Sequence, residues 1–259
     1  MVWTEPRDLV VREVELRLPR WPRGYPPLRV AVASDLHIGS PHNGLGRLAE
    51  LVRRINATRP DAVVLLGDFS PDVLGGRKIA PERWARILTG LRAREGVYAV
   101  LGNHDWYFDG PRIRAALETY GKVEVLEDAS TAARRGRFPV WLAGISDFVE
   151  AEHDVAKALA DVPTKVPVVA ITHNPDVFPT IPPRVALTLA GHTHGGQIRL
   201  PVLGALHTAS RYGQRYTKGH VTEGGRHLFV TSGVGLSALP LRLGTPPEIV
   251  ILRLRAAGA

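Results

Sequence analysis

The sequence predicts a mixed α/β protein in which two β-sheets form a sandwich flanked by helices. The first observation is that strands and helices alternate through the first half, which is typical of parallel βαβ units. The second is that the chain becomes richer in strands after Gly121, which favours a second sheet packed on the first. The third is that the sequence shows no linker or internal repeat, so we expect a single domain over residues 1–259.

The N-terminal part of the chain is expected to form an edge strand. In residues 9–18 apolar and polar side chains alternate, which suits an antiparallel edge strand, and four prolines within residues 19–27 make a stiff connector. Residues 1–27 are therefore interpreted as this edge strand and its proline-rich connector. Short apolar runs then predict buried strands, and apolar residues at helical spacing predict helices. The predicted strands are 28–34, 62–66 and 97–101, and the predicted helices are 45–58, about 81–91 and about 111–120.

The second half contains mostly strand patterns. One short helix is predicted over residues 154–160, and a turn of helix after Pro175. The predicted strands are 123–125, 140–145, 168–172, 185–190, 227–231 and 249–254.

Composition limits the chemistry of the chain. There is no cysteine, so a metal would have to be bound by His, Asp, Asn or Glu. The net charge of +8 suits an anionic partner, although a solvated basic surface explains it equally well. No apolar run approaches the ~18 residues that span a bilayer, and residues 1–5 do not read as a signal peptide. The expected location is therefore cytoplasmic, with peripheral contact at the inner membrane as a further option.

Five short polar motifs carry the functional signal, and each follows a predicted strand. Because ligands bind beyond the carboxyl ends of strands in α/β sheets, these motifs are expected to meet at one edge. In the Asp-x-His and His-x-His motifs, residues i and i+2 of an extended segment point to the same side. The motifs are Asp35-Leu36-His37, Gly67-Asp68, Gly102-Asn103-His104-Asp105, Thr172-His173-Asn174 and Gly191-His192-Thr193-His194.

Such a set of donors suits a pair of divalent ions. Two ions roughly 3.5–4 Å apart can place a water nucleophile in line with a leaving group and neutralise developing charge, as phosphoester hydrolysis requires. Imidazole and carboxylate ligands suit Mn, Fe, Zn or Co, and affinity alone does not choose among these metals. We therefore expect two divalent ions per chain, and the sequence does not determine which metal they are.

The order and spacing of the five motifs resemble the calcineurin-like metallophosphoesterase family, from about residue 28 to the C-terminus. The resemblance implies a four-layer fold, a β-sandwich with helices outside. It implies that one ion is bound by Asp35, His37, Asp68 and His194 and the other by Asp68, Asn103, His173 and His192, with Asp68 bridging. It also implies that His104 is the general acid or charge-stabilising histidine, oriented by Asp105.

Later segments resemble a bacterial phosphodiesterase branch of this family. They include residues 191–198, Thr231-Ser232-Gly233, Pro240-Leu241-Arg242 and Pro246-Pro247-Glu248. Members of that branch are often membrane-associated, and some cleave the pyrophosphate of a UDP-linked acylated glucosamine. Many members carry an N-terminal anchoring helix, and residues 1–27 are not expected to form one. The chain has Pro71 where purple acid phosphatases place a tyrosine, which argues against a ferric tyrosinate site.

The expected substrate is a phosphoester, either a small molecule or a lipid-linked one, cleaved at a phosphodiester or pyrophosphate bond. Three aromatic residues, Trp106, Tyr107 and Phe108, are predicted to lie in a loop beside the metals, where they line the substrate entrance or pack structurally. The apolar segment 236–243 is either core or a wall for an acyl chain. The remaining histidines are interpreted as surface or packing residues: His42, His153, His207, His220 and His227.

Two alternative functions are weighed against this hypothesis. A nuclease on the same scaffold would suit the positive charge, but no stretch of interleaved basic and aromatic residues for tracking a strand is present, so nucleic acid is not the expected partner. A non-catalytic metal-binding interaction module would keep the fold without the reaction. The sequence leaves the oligomeric state open.

Overall fold

The computed structural model describes residues 5–134 and 136–258, and it contains two six-stranded sheets stacked face to face. Residues 1–4, which belong to the N-terminal segment considered above as a signal peptide, lie outside the described residues. In spatial order, the first sheet consists of β1 (Val10–Leu18), β16 (Glu248–Ala256), β2 (Leu28–Ala33), β3 (Ala62–Leu66), β5 (Val97–Val100) and β6 (Glu124–Val125). The second consists of β13 (Gly219–Glu223), β14 (Arg226–Val230), β10 (Leu187–Ala190), β9 (Val168–Thr172), β8 (Val140–Ile145) and β7 (Ala129–Arg134).

Two short ribbons accompany the sheets. In the first, β4 (Asp72–Val73) pairs in parallel with β15 (Ser237–Ala238). In the second, β11 (Arg199–Leu200) and β12 (Gly204–Ala205) form an antiparallel hairpin. The α-helices are α1 (Leu45–Ala57), α2 (Pro81–Leu88), α3 (Asn103–Ala116) and α4 (Val155–Ala158), and a π-helical turn, Leu117–Gly121, follows α3.

Side-chain alternation along buried strands builds the layers. In β2, Val30 and Val32 pack between the two sheets, whereas Ala31 and Ala33 pack against the helices outside the first sheet. The helices α1, α2 and α3 contribute to that outer layer, and α4 packs against the outer face of the second sheet. The order of layers is therefore helix, sheet, sheet, helix. This confirms the predicted two-sheet sandwich with flanking helices.

The edge strand β1 differs from its prediction in direction. It lies at the edge of the first sheet as expected, but it pairs with β16 in parallel rather than antiparallel. The C-terminal strand β16 lies between β1 and β2 and is antiparallel to β2. Because β16 is almost entirely buried, it occupies the inner position, and the half-exposed β1 covers the edge.

The helix predicted from about residue 111 in fact begins at Asn103. The backbone becomes extended at Asp109, immediately before Gly110 and Pro111, and then resumes as a helix. Pro111 cannot donate an amide hydrogen bond, so it interrupts the helix and resembles a helix start in the sequence. The motif Asn103–Asp105 and the aromatic residues 106–108 therefore lie in a helical turn and not in a loop.

Other boundaries differ more modestly. Helix α2 ends at Leu88, three residues before the predicted end, and strands β7 and β13 were not predicted. These two strands lie at the edges of the second sheet, where no run of buried side chains marks a strand, and the two-residue strands of the ribbons were not predicted either. In the described ranges, no helix has both the length and the apolar character needed to cross a membrane.

Candidate metal centre

The predicted ligands all lie just beyond the carboxyl end of a strand. Strands β2, β3 and β5 run parallel in the first sheet, and β9 and β10 run parallel in the second. The ends of these strands meet at one edge of the sandwich, which brings the polar side chains together. In chain order the residues are Asp35 and His37 after β2, Asp68 after β3, Asn103 after β5, His173 after β9, and His192 and His194 after β10.

Six of these side chains form two candidate ligand groups. In each group the ligand-type atoms lie within 4.8 Å of one another. Two ring nitrogens approach closely in each group, with 3.2 Å between the Nε2 atoms of His37 and His194 and 3.1 Å between His192 Nδ1 and His173 Nε2. The first group is Asp35, His37 and His194, and the second is Asp68, His173 and His192.

The protonation of two of these rings follows from their backbone contacts. His37 Nδ1 lies 2.8 Å from the carbonyl oxygen of Ser70, and His173 Nδ1 lies 2.7 Å from that of Leu66. A carbonyl oxygen can only accept, so each Nδ1 carries a proton and donates it. In the neutral ring the Nε2 lone pair then faces the site. This arrangement is typical of histidines that bind metal ions.

Asp68 lies between the two groups. Its Oδ2 is 3.6 Å from His37 Nε2 of the first group and 3.2 Å from His173 Nε2 of the second, while Oδ1 accepts a hydrogen bond from the His104 amide. The nearby Asn103 Oδ1 is buried and has no hydrogen-bond partner among the described residues. Because a buried oxygen without a partner is costly, Asn103 Oδ1 fits a site that receives a cation.

Buried charge controls the electrostatics of this edge. Burial by itself lowers the pKa of His173, but the Asp68 carboxylate raises it to about 10. Burial and the neighbouring His173 lower the pKa of His192 to about 3. Burial alone would raise the pKa of Asp68, yet His173 and His37 hold it far below its usual range. The buried carboxylates thus attract positive charge, while His192 stays neutral and able to act as a ligand.

The backbone is unusual at five of the seven predicted ligands. Their φ angles lie between 39° and 69°, in the left-handed region that few non-glycine residues adopt. Asp and His tolerate this region better than most residues, and such conformations concentrate at functional sites. The turn after each strand therefore bends sharply enough to direct its side chain across the edge. The five residues are Asp35, His37, Asp68, His192 and His194.

Two glycines allow the strand ends to approach this closely. A Cβ atom at Gly102 would collide with the Asp68 carboxylate, and one at Gly191 would collide with the Ser34 hydroxyl and approach the Asp35 carboxylate. The glycine before each of the motifs Asn103–Asp105 and His192–His194 thus leaves space for a ligand carried by another strand.

His104 and Asp105 have different surroundings. The His104 ring is 18% exposed at the mouth of the site, with Nε2 3.9 Å from Asp68 Oδ2. The carboxylate beside its Nδ1 is that of Asp72, at 3.3 Å, a residue that the sequence did not single out. The carboxylate of Asp105, the residue that the resemblance assigns to orienting His104, accepts hydrogen bonds from the amides of Phe69, Ser70 and Gly102. Asp105 therefore fixes the loop that carries Asp68.

Arg242 is a second residue whose role at this site was not predicted from the sequence. Its side chain is fully buried, and among the described residues it forms no ion pair with a carboxylate. The guanidinium donates to the carbonyl oxygens of Ser232, Gly235 and Thr245, and its Nη2 lies 3.3 Å from His194 Nδ1. In turn, the Gly235 amide donates to the Asp35 carbonyl oxygen. Arg242 thus connects two members of the first ligand group, and its only sequence signal was the motif Pro240-Leu241-Arg242.

A cavity of about 330 Å³ opens beside both ligand groups. The polar part of its lining includes Asp68, His104, His192 and His194. The apolar part, which we call the apolar wall, consists of Ile198, Leu206, Ala209, Ala238 and Leu239.

The cavity decides several alternatives that the sequence left open. His207, interpreted from the sequence as a surface or packing residue, lines the cavity. The aromatic residues 106–108 do not line it, but Tyr107 and Phe108 line a smaller cavity of about 160 Å³ together with His104 and Asp72, and the ring centroids of Tyr107 and His104 are 6.0 Å apart. Within the segment 236–243, Leu236 is buried core, whereas Leu239 faces the cavity. The segment therefore supplies both core and wall.

The fold and the site together define a two-sheet sandwich with a paired ligand cluster at one edge. The model of the calcineurin-like phosphoesterase family matches residues 28–196. The chain therefore belongs to the calcineurin-like phosphoesterase family, whose members use divalent metal ions, and it is a hydrolase. This confirms the resemblance seen in the sequence.

Several curated proteins are similar over most of the chain. The "Uncharacterized metallophosphoesterase YkuE" of Bacillus subtilis is 29% identical, covering 98% of this chain and 88% of that protein. The "Phosphodiesterase YaeI" of Escherichia coli is 28% identical over 88% of this chain and 82% of its own length. The "UDP-2,3-diacylglucosamine pyrophosphatase LpxG" of Chlamydia trachomatis is 24% identical over 97% and 92%. The chain spans only 57% of a longer relative from Danio rerio, "Transmembrane protein with metallophosphoesterase domain", which is 30% identical over 95% of this chain.

We expect Arg242→Met to destabilise the protein strongly. The substitution keeps an unbranched side chain of moderate length but leaves three buried carbonyl oxygens without their donor, so the free energy of unfolding should fall by about 3 kcal/mol or more. Urea unfolding would measure the loss. Arg12→Met is the matched control, because Arg12 is 41% exposed and its ion pair with Glu248 is worth about 1 kcal/mol or less. Equal losses for the two variants would contradict this role of Arg242.

Proposed function

We propose that this protein hydrolyses phosphodiester or pyrophosphate bonds that carry an apolar substituent, with the seven predicted side chains binding two divalent ions. The observation that carries the proposal is the position of Asp68, whose carboxylate lies within 3.6 Å of imidazole nitrogens from both ligand groups. A bridging carboxylate between two sets of imidazole and oxygen donors is the arrangement that a pair of divalent ions requires.

The ligand assignment divides the site at Asp68. Asp35, His37 and His194 would bind one ion, and Asn103, His173 and His192 the other, with Asp68 shared. When bound, the ions would supply a water nucleophile at neutral pH and neutralise charge on the phosphoryl oxygens. Imidazole, amide and carboxylate ligands suit Mn, Fe, Zn or Co, so the donor set restricts the metal to this group without choosing one.

His104 would donate a proton to the leaving oxygen. It lies at the mouth of the cavity, close enough to Asp68 to reach a phosphoryl group held between the ligand groups. Asp72 lies 3.3 Å from its Nδ1 and would accept a hydrogen bond from that nitrogen in the doubly protonated ring, so that the Nε2–H faces the cavity and is the proton that passes to the leaving oxygen. Tyr107 packs on the same ring and limits its rotation.

The apolar wall supports the choice of substrate. A phosphate monoester carries two negative charges and gains little from a leucine surface, whereas a diester or pyrophosphate has a substituent on each side of the reacting phosphorus. Leu206, Leu239 and Ile198 would contact such a substituent. The printed names of YaeI and LpxG, a phosphodiesterase and a diacylglucosamine pyrophosphatase, agree with this class. Among the described residues that line this cavity there is no Phe, Tyr or Trp on which the bases of a polynucleotide could stack.

Asp68 should be the least replaceable ligand. Because the two ions would repel one another without an anionic bridge, we expect Asp68→Ala to lose metal and activity together. Metal analysis of the purified variant, alongside diesterase assays, measures both losses. Asp128→Ala is the matched control, because Asp128 is also a buried aspartate, and its one hydrogen bond within the described ranges is accepted from the Ser146 amide. An Asp68→Ala protein that retains two ions and near-normal turnover would refute the bridging assignment.

His104→Ala should separate catalysis from metal binding. We expect kcat to fall by about 10²–10⁴-fold with the metal content unchanged, because a general acid contributes this much to proton transfer. The defect should shrink on nitrophenyl esters, whose leaving groups need little protonation. Asp72→Asn should lower kcat less than tenfold, since an exposed carboxylate contributes about 1 kcal/mol or less. An equal defect of His104→Ala on nitrophenyl and alkyl esters would remove His104 from this role.

The substrate class is tested by comparing kcat/KM on a bis-aryl phosphodiester, its monoester and single-stranded DNA. We expect the diester to be preferred, and a longer alkyl substituent to lower KM through contact with the leucine wall. Leu239→Ser should reduce that response, whereas Val11→Ser, at an exposed valine of the edge strand β1 that does not line the cavity, should not. A clear monoester preference, or preferential cleavage of DNA, would overturn the proposed substrate.

A further inference from the structure

Exposed apolar side chains are concentrated around the mouth of the cavity. Val202 is fully exposed, and the others are between 49% and 71% exposed. Apolar residues that remain in water singly are common, but a cluster beside a binding site marks an interaction surface. We name this cluster the apolar rim, and it consists of Leu74, Val202, Leu203, Leu206 and Leu239.

The rim is continuous along the cavity. The Leu74 amide donates to the carbonyl oxygen of Ala238, which places Leu74 next to Leu239 on the β4–β15 ribbon. Leu239 and Leu206 both line the cavity. The Leu206 amide donates to the Ile198 carbonyl oxygen, at the base of the β11–β12 hairpin, whose connection carries Val202 and Leu203. The hairpin tip therefore extends the apolar wall of the cavity outward into solvent.

The backbone at the hairpin tip gives a second, independent indication. Val202 has a φ of 70°, a conformation that is a genuine outlier for a β-branched residue. Glycine or asparagine would occupy this position without strain. The tip thus presents an apolar side chain to solvent at a conformational cost, and contact with an apolar environment would offset that cost.

Positive charge accompanies the rim. Arg77 and Lys78 follow Leu74 closely in the chain and are exposed, and Arg199 lies at the base of the hairpin. Within the described ranges, none of the three forms an ion pair with a carboxylate. Apolar side chains flanked by unpaired cations match the surface of an anionic bilayer, which offers acyl chains below a layer of phosphates.

We propose that the apolar rim docks on an anionic lipid bilayer, with Val202 and Leu203 entering the headgroup region and Arg77, Lys78 and Arg199 facing lipid phosphates. A bilayer is the occupant that the charges favour, because exposed cations without an ion pair among the described residues flank the apolar side chains on the same face. Docked in this way, the cavity opens at the membrane surface. The role of docking in substrate delivery rests on the proposed function, whereas vesicle binding itself does not.

The test is co-sedimentation of the full chain with vesicles of phosphatidylcholine alone or mixed with phosphatidylglycerol. We expect binding to the mixed vesicles and little to the neutral ones. The double variant Val202→Ser, Leu203→Ser should weaken binding about tenfold or more by removing the apolar tip. The variant Arg77→Gln, Lys78→Gln should weaken it about fivefold or more and reduce its sensitivity to salt. Val10→Ser, Val11→Ser is the matched control, because these valines are 37% and 39% exposed on the edge strand β1 and do not belong to the apolar rim.

Hydrolysis of a water-soluble diester separates this inference from the proposed function. Val202 and Leu203 do not line the cavity, so the tip variant should keep the kcat/KM of the unmodified chain on that substrate. Vesicle binding without diester hydrolysis would contradict the proposed function and leave the docking surface in place. Equal vesicle binding by the tip variant and the unmodified chain would overturn the docking surface. So would concentration-dependent self-association that the tip variant abolishes in the absence of lipid, because the rim would then be an interface between two copies of the chain.

Discussion

The buried carboxylate of Asp68 is the constraint on which the rest of the site depends. It lies at the end of β3, between imidazole nitrogens from both sheets, and its charge determines the protonation of its neighbours. A carboxylate at this depth is stable only with several partners of opposite charge or with hydrogen-bond donors. Gly102 leaves space for it, and Asp105 fixes the loop behind it. Much of the polar structure of this edge serves to keep one anion in place.

Both sheets contribute ligand residues to this edge. The first sheet supplies Asp35, His37, Asp68 and Asn103, and the second supplies the remaining three histidines. Neither sheet alone contains a complete ligand group, since each group joins residues from both. The apolar layer between the sheets, which includes Val30, Val32, Ile171 and Leu189, therefore determines the distances within the site. A tightly packed layer of this kind deforms little, so it can keep ligand atoms at fixed separations.

Backbone carbonyl oxygens orient several of the side chains at this site. They accept the Nδ1 protons of His37 and His173, and they surround the guanidinium of Arg242. Carbonyl groups add no net charge, so they orient rings and cations without competing for an ion in the site. The cavity beside them changes abruptly from this polar edge to a leucine wall that continues into the apolar rim. One opening thus joins a charged reaction site to an apolar surface.

The sequence by itself determined the strands that end at the site and the side chains that they carry there. Both follow from local patterns, because buried strands need apolar runs and the motifs Asp35–His37 and His192–His194 need only adjacent residues of the right type. The tertiary structure alone decided that Asp72 lies beside His104, that Arg242 lies behind His194, and that β1 runs parallel to β16. Arg242 is separated by 48 residues from His194, and β1 and β16 lie at opposite ends of the chain. Such contacts arise from the packing of whole sheets, which no local pattern encodes, and only folding brings these residues together.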